Sequence, residues 1–109
     1  MISKNSVRRA ALAASLMTMA SISTALADAI DGDWCLGSKT LNILGPHIRT
    51  PGGTEMQGDY TRHTFNYTVP ATEPEAGIAV AMRLQGQDFM AMTKGATAPE
   101  TWRRCKPIS

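Results

Sequence analysis

The sequence predicts an all-β fold: a small antiparallel meander or barrel of six to seven short strands, with its terminal strands joined by a disulfide. Three observations carry this expectation. Apolar and polar residues alternate with a period of two in several segments, and no segment sustains a helical period. Turn signals built on Gly and Pro recur about every 8–12 residues. The two cysteines, Cys35 and Cys105, lie near opposite ends of the part that remains after an N-terminal leader.

The elements follow in order. An acidic lead-in precedes a first strand at 34–36. Residues 39–44 alternate, with Leu41 and Ile43 on one face. Gly45-Pro46 turns the chain, and 47–50 return as the second arm of a hairpin. Pro51-Gly52-Gly53 breaks the chain, and a polar loop runs on through Gly58. The clearest strand covers 60–69. Phe65, Tyr67 and Val69 share one face, and Thr64, Asn66 and Thr68 share the other, as in a half-buried antiparallel strand.

Pro70 ends that strand, and 71–76 form a loop. Across 77–85, Ile78, Val80, Met82 and Leu84 point inward while Ala79, Ala81 and Arg83 point outward. Gly86-Gln87 is a two-residue turn, and 88–94 return. Met90 and Met92 share one face of this strand and Phe89 and Ala91 the other. An outward Met pair would form a small apolar patch. Another loop leads to the last strand, 101–105.

Residues 1–27 read as a cleavable secretion signal. Lys4, Arg8 and Arg9 form a positive start, and an uncharged run from 10 to 26 follows. Ala25-Leu26-Ala27 is a small-x-small cleavage site before Asp28, and cleavage after Ala29 is a variant. A spanning helix needs about 20 strongly apolar residues, and this run is shorter and diluted by Ser and Thr. Residues 28–109 are then one small β domain, periplasmic or secreted, with no membrane span after cleavage.

Removing the leader changes the charge. Three of the 11 Lys and Arg residues leave with it and none of the 9 Asp and Glu, so a formal +2 becomes −1. The basic balance belongs to the leader, which removes the argument for a nucleic-acid partner. Export also places Cys35 and Cys105 in an oxidising compartment, where an even count implies a disulfide. Closing so long a loop is worth about 4 kcal/mol on the chain-entropy model. The bond would draw the first and last strands together and favour a closed barrel without exposed edges. Trp34 and Trp102 lie on the faces opposite their neighbouring cysteines, so an outward disulfide turns both indoles into the core.

Gly32-Asp33-Trp34 resembles the G-x-W start of calycin barrels, the lipocalin-like superfamily. In that family an Arg from the last strand packs across the Trp near the closed end, and the resemblance implies this role for Arg103 or Arg104. The fold signature is then Gly32, Trp34, Trp102, Arg103 and Arg104. The chain also resembles small periplasmic protease-inhibitor barrels and, at its two ends, small bacterial envelope proteins. These likenesses rest on about eight residues. In so short a chain a barrel interior is mostly filled by its own side chains.

Candidate chemistry is sparse. Ser38 lacks a nucleophile-elbow context, and the paired acids Asp31/Asp33, Glu55/Asp59 and Glu73/Glu75 fall in the lead-in or in loops, where solvation is the expected state. These observations favour a protein that is not an enzyme and needs no cofactor. His47 and His63 are the only histidines. With Glu55, Met56 and Asp59 they are weak candidates for a copper or zinc site, although His63 also continues the Phe65 face. The most distinctive non-strand segment is the loop carrying Pro51, Gly52, Gly53, Glu55, Met56 and Asp59, a candidate binding loop. Two functional readings follow. One is a non-catalytic periplasmic binding module that contacts a protein or envelope component through loops, with protease inhibition as a subtype. The other is a metal- or small-ligand-binding protein using His47, His63 and the methionines.

Overall fold

The computed structural model describes residues 29–106; the expected leader, 1–27, lies outside the described residues. The domain is all-β and antiparallel. Its strands are β1 (Gly32–Leu36), β2 (Lys39–Leu44), β3 (His47–Arg49), β4 (Glu55–Gln57), β5 (Asp59–Tyr60), β6 (Thr64–Thr68), β7 (Ala79–Gln85), β8 (Phe89–Lys94) and β9 (Glu100–Arg104). They form one sheet in the order β4-β3-β2-β1-β9-β8-β7-β6-β5. Chain neighbours pair except β4 and β5, which lie at the two ends of the order, and the single non-sequential pairing joins β1 to β9.

The edge strands β4 and β5 are separated by Gly58 alone. One bent segment therefore borders β3 on one side and β6 on the other, and the sheet curls into a nearly closed barrel. The bend requires glycine. A Cβ at Gly58 would sit 2.6 Å from the carbonyl oxygen of Asn66 and 2.6 Å from the Phe65 ring. The Gly58 N–H donates to the carbonyl of Pro46 at 2.9 Å, which ties the bend to the β2–β3 turn.

Nine strands replace the six to seven expected. The additional ones, β4 and β5, are three and two residues long. β4 falls in the stretch expected to be a polar loop, and β5 takes the start of the strand expected over 60–69, which a turn at 61–63 separates from β6. Segments so short carry no readable alternation. They become strands because the adjoining strands β3 and β6 supply ladder partners.

The inward faces follow the period of two. Trp34, Trp102 and Phe65 are fully buried, joined by Leu41, Ile43, Ile48, Val80 and Met82. Met90 and Met92 are buried too, so the outward Met patch does not form. Met90 lies opposite Trp102 on one side and Leu84 on the other. The flexible thioether chains fill the space left around the indoles. Phe89, on the other face, is 47% exposed.

The Cys35–Cys105 disulfide is formed, with the Cα atoms 5.0 Å apart. It crosses diagonally between β1 and β9, because Cys35 lies opposite Arg103. The Cys105 N–H donates to the Asp33 carbonyl beside it. Both sulfurs sit on the outer wall and both Trp rings point inward, as alternation requires. A disulfide in a small domain of this kind is compatible with export.

Candidate functional site

The two ends of the barrel are built differently. At one end the chain is drawn in as a plug. Ala29, Ile30 and Asp31 are buried, and Ile30 is fully so. The lead-in acid expected to be solvated, Asp31, instead accepts hydrogen bonds from the Tyr60 hydroxyl and, at 2.8 Å, from the Gly45 N–H. Asp33 stays at the surface and accepts from Asn42. Two acids two residues apart would share a face of a regular strand; they divide here because Asp31 precedes β1 and Gly32, at φ +129°, turns the chain between them.

Arg104 organises the plug. Its guanidinium carbon lies 4.4 Å from the Trp34 ring centroid. Nη1 donates to the Asp31 carbonyl at 2.8 Å, Nη2 to the Ala29 carbonyl at 2.7 Å, and Nε to the Gln87 carbonyl. Arg104 therefore takes the packing role expected of one member of the Arg103/Arg104 pair, and Arg103 is exposed. Desolvation pulls the guanidinium pKa below its ordinary value, and the charges of Asp88 and Asp31 act against that pull. Gly32 is held at φ +129°, and a Cβ there would meet Arg104 Nη1 at 2.7 Å. The glycine of the G-x-W triplet is thus required by both backbone conformation and space.

The opposite end is open. In an up-and-down barrel, alternate turns share an end. The longer connections, 50–54, 69–78 and 95–99, fall on this side with the tight turn at 37–38. They surround a recess of about 380 Å³. Tyr67, Val80, Met92 and Trp102 form its floor, and Val69 lines its wall. Pro51, Gly52, Pro74 and the charged residues Lys39, Glu73, Glu75 and Lys94 form its rim.

The rim is organised by polar contacts. The Thr50 hydroxyl, fully buried, donates to Glu73, and the Thr54 N–H donates to the Thr50 hydroxyl at 3.1 Å. A Cβ on Gly52 would lie 2.4 Å from the Glu73 carboxyl carbon. This close approach locks loop 50–54 to loop 69–78. Lys94 bridges Glu75 at 3.4 Å and Glu100 at 3.6 Å. Glu100 also accepts, at 3.3 Å, from the Trp102 indole N–H.

Tyr67 is the unusual member of the floor. It is 8% exposed, and among the described residues its hydroxyl has no hydrogen-bond partner. Burial, then the charges of Glu73 and Glu75, push its pKa up to about 12. A buried phenol without a protein partner is unfavourable unless water or a bound group satisfies it.

The expected binding loop is not one site. Pro51 and Gly52 reach the recess, and Gly53 is exposed at the turn tip with φ +93°. Glu55 and Met56 line a separate groove with His47, and Met56 also packs against the core. Asp59 pairs with Asn66 in β5 and β6. His63 is exposed in the turn before β6 and does not continue the buried Phe65 face. Among the described residues no group of three or more His, Cys, Asp or Glu side chains is placed to hold a metal ion.

Sequence reading missed Lys39, Tyr67, Glu73, Glu75, Lys94 and the apolar floor as members of one site. Turn parity was the available signal, since the longer connections alternate with tight turns along the chain. No protein-family model, curated protein sequence or solved structure matches this chain.

Proposed function

We propose that the protein is a non-catalytic binding module, working in the periplasm or outside the cell, that contacts a protein or another envelope component through the loops of its open end. The observation that carries this reading is the recess: an apolar floor with a phenol that has no hydrogen-bond partner among the described residues, ringed by charged side chains and lying opposite the plugged end. The rim acids are engaged in holding the loops, Glu73 by Thr50 and Glu75 by Lys94. That supports binding over acid–base chemistry.

The size of the recess suits an inserted side chain. One buried aromatic or aliphatic side chain contributes roughly 1.5–3 kcal/mol. A complex of micromolar affinity needs about 8 kcal/mol. The rim loops must supply the remainder, which favours a macromolecular partner that covers the whole mouth. Inhibition of an envelope protease is one form of this reading.

Photo-crosslinking in the producing cell tests it. A photoreactive residue at Pro74 on the rim should give a discrete adduct, whose mass identifies a protein or another envelope component. The same probe at Ala81, on the outer wall, should not. Identical adducts from both positions, or none from Pro74, would count against the mouth as the binding surface.

A further inference from the structure

We infer that the leader is removed at the Ala27–Asp28 bond and not at the Ala29–Ile30 bond, because the closed end of the barrel is built on the Ala29–Ile30 peptide group. This rests on the export reading. The sequence presents two overlapping small-x-small sites, Ala25-Leu26-Ala27 and Ala27-Asp28-Ala29, which a signal-cleaving protease could read in either register.

The fold distinguishes them. The carbonyl of the Ala29–Ile30 peptide accepts from Arg104 Nη2 at 2.7 Å, and its N–H donates to the Arg62 carbonyl at 2.8 Å. Ile30 has no exposed surface, and its own carbonyl accepts from the Trp34 indole at 2.9 Å. Hydrolysis there would send the Ala29 carboxyl away with the leader and leave an amine on Ile30. At neutral pH that amine is an ammonium. It could still donate to Arg62. However, it would place a positive charge in a buried pocket beside the Arg104 guanidinium, which would lose one of its three acceptors at the same step. Cleavage after Ala27 leaves this peptide group intact.

Two measurements test the inference. The first is the intact mass of the oxidised protein recovered from the exporting cell. A chain beginning at Asp28 is expected. A chain beginning at Ile30 would overturn the inference alone, while an uncut chain would overturn the export reading and the inference with it. The second compares the two mature forms, released from cleavable fusions with their disulfides formed. The form beginning at Ile30 should melt about 10 °C below the form beginning at Asp28, from the loss of a charged hydrogen bond in a domain of this size. Equal melting temperatures would overturn the inference.

Discussion

Trp34 and Arg104 face each other directly across β1 and β9, with the guanidinium 4.4 Å from the ring centroid and its nitrogens spent on three backbone carbonyls. Those carbonyls belong to the plug and to the β7–β8 turn. One residue near the C terminus therefore fixes the N-terminal segment and closes one end of the barrel, while the other end stays open.

The plug should respond to either member of a tight pair. Arg104→Lys keeps the charge but loses the planar fork, and should destabilise the domain by about 2–4 kcal/mol. Gly32→Ala should cost about 2 kcal/mol or more, through its positive φ and the contact with Nη1. The two act on one constellation, so the double variant should cost clearly less than their sum. Urea denaturation of the four proteins measures this, and strict additivity would contradict it.

The disulfide should matter through the unfolded chain. Its partners are 70 positions apart, so reduction, or replacement of both cysteines by alanine, should lower stability by about 4 kcal/mol. The fold should survive under mild conditions, because β1 and β9 are also joined by backbone pairing. Circular dichroism with and without reductant, followed through thermal unfolding, checks both points.

Both tyrosines should ionise late. Tyr60 is raised to about 12, first by its hydrogen bond to Asp31 and then by burial, and Tyr67 reaches about 12 through burial. Each folded pKa lies above the unfolded value of about 10. Their contribution to stability is thus complete below pH 10 and is lost as pH rises from about 10 towards 12. Tyrosinate absorbance should show a native midpoint near 12 and a denatured midpoint near 10. Tyr60→Phe should remove part of the alkaline loss of stability.

Thr50 should govern the mouth more than the barrel. Thr50→Ala removes the donor to Glu73 and the acceptor of the Thr54 N–H. Amides in 50–54 and 70–77 should then exchange with deuterium about fivefold faster or more. Protection in β7 and β8 should hold. Equal acceleration in those strands would show that Thr50 stabilises the whole barrel.

Much of this architecture could be read from residue patterns. The alternation at Phe65, Tyr67 and Val69 and at Val80 and Met82 correctly assigned the inward faces, and parity placed both Trp rings opposite the disulfide. β4 could not be read, because Glu55–Gln57 is too short to show alternation and owes its extended form to pairing with β3, and of β5 only Tyr60 was legible, as the start of the strand expected over 60–69. Asp31 looked like a solvated acid because its partners, Tyr60 and Gly45, arrive only on folding. The loop expected to bind is divided between two places. Pro51 and Gly52 line the recess, but Glu55 and Met56 are held along β3 and Asp59 along β6, and no local signal announces how closely the bend at Gly58 approaches Asn66.

The binding role is tested most directly by amide chemical-shift mapping of the oxidised, isotope-labelled protein titrated with solubilised envelope extract from the producing cell. The account predicts shifts or broadening confined to the open end, at Gly52, Val69, Glu75, Lys94 and Glu100, with the plugged end unchanged. Perturbations centred on Gly45, His63 and Gly86, or none at any extract concentration, would contradict it.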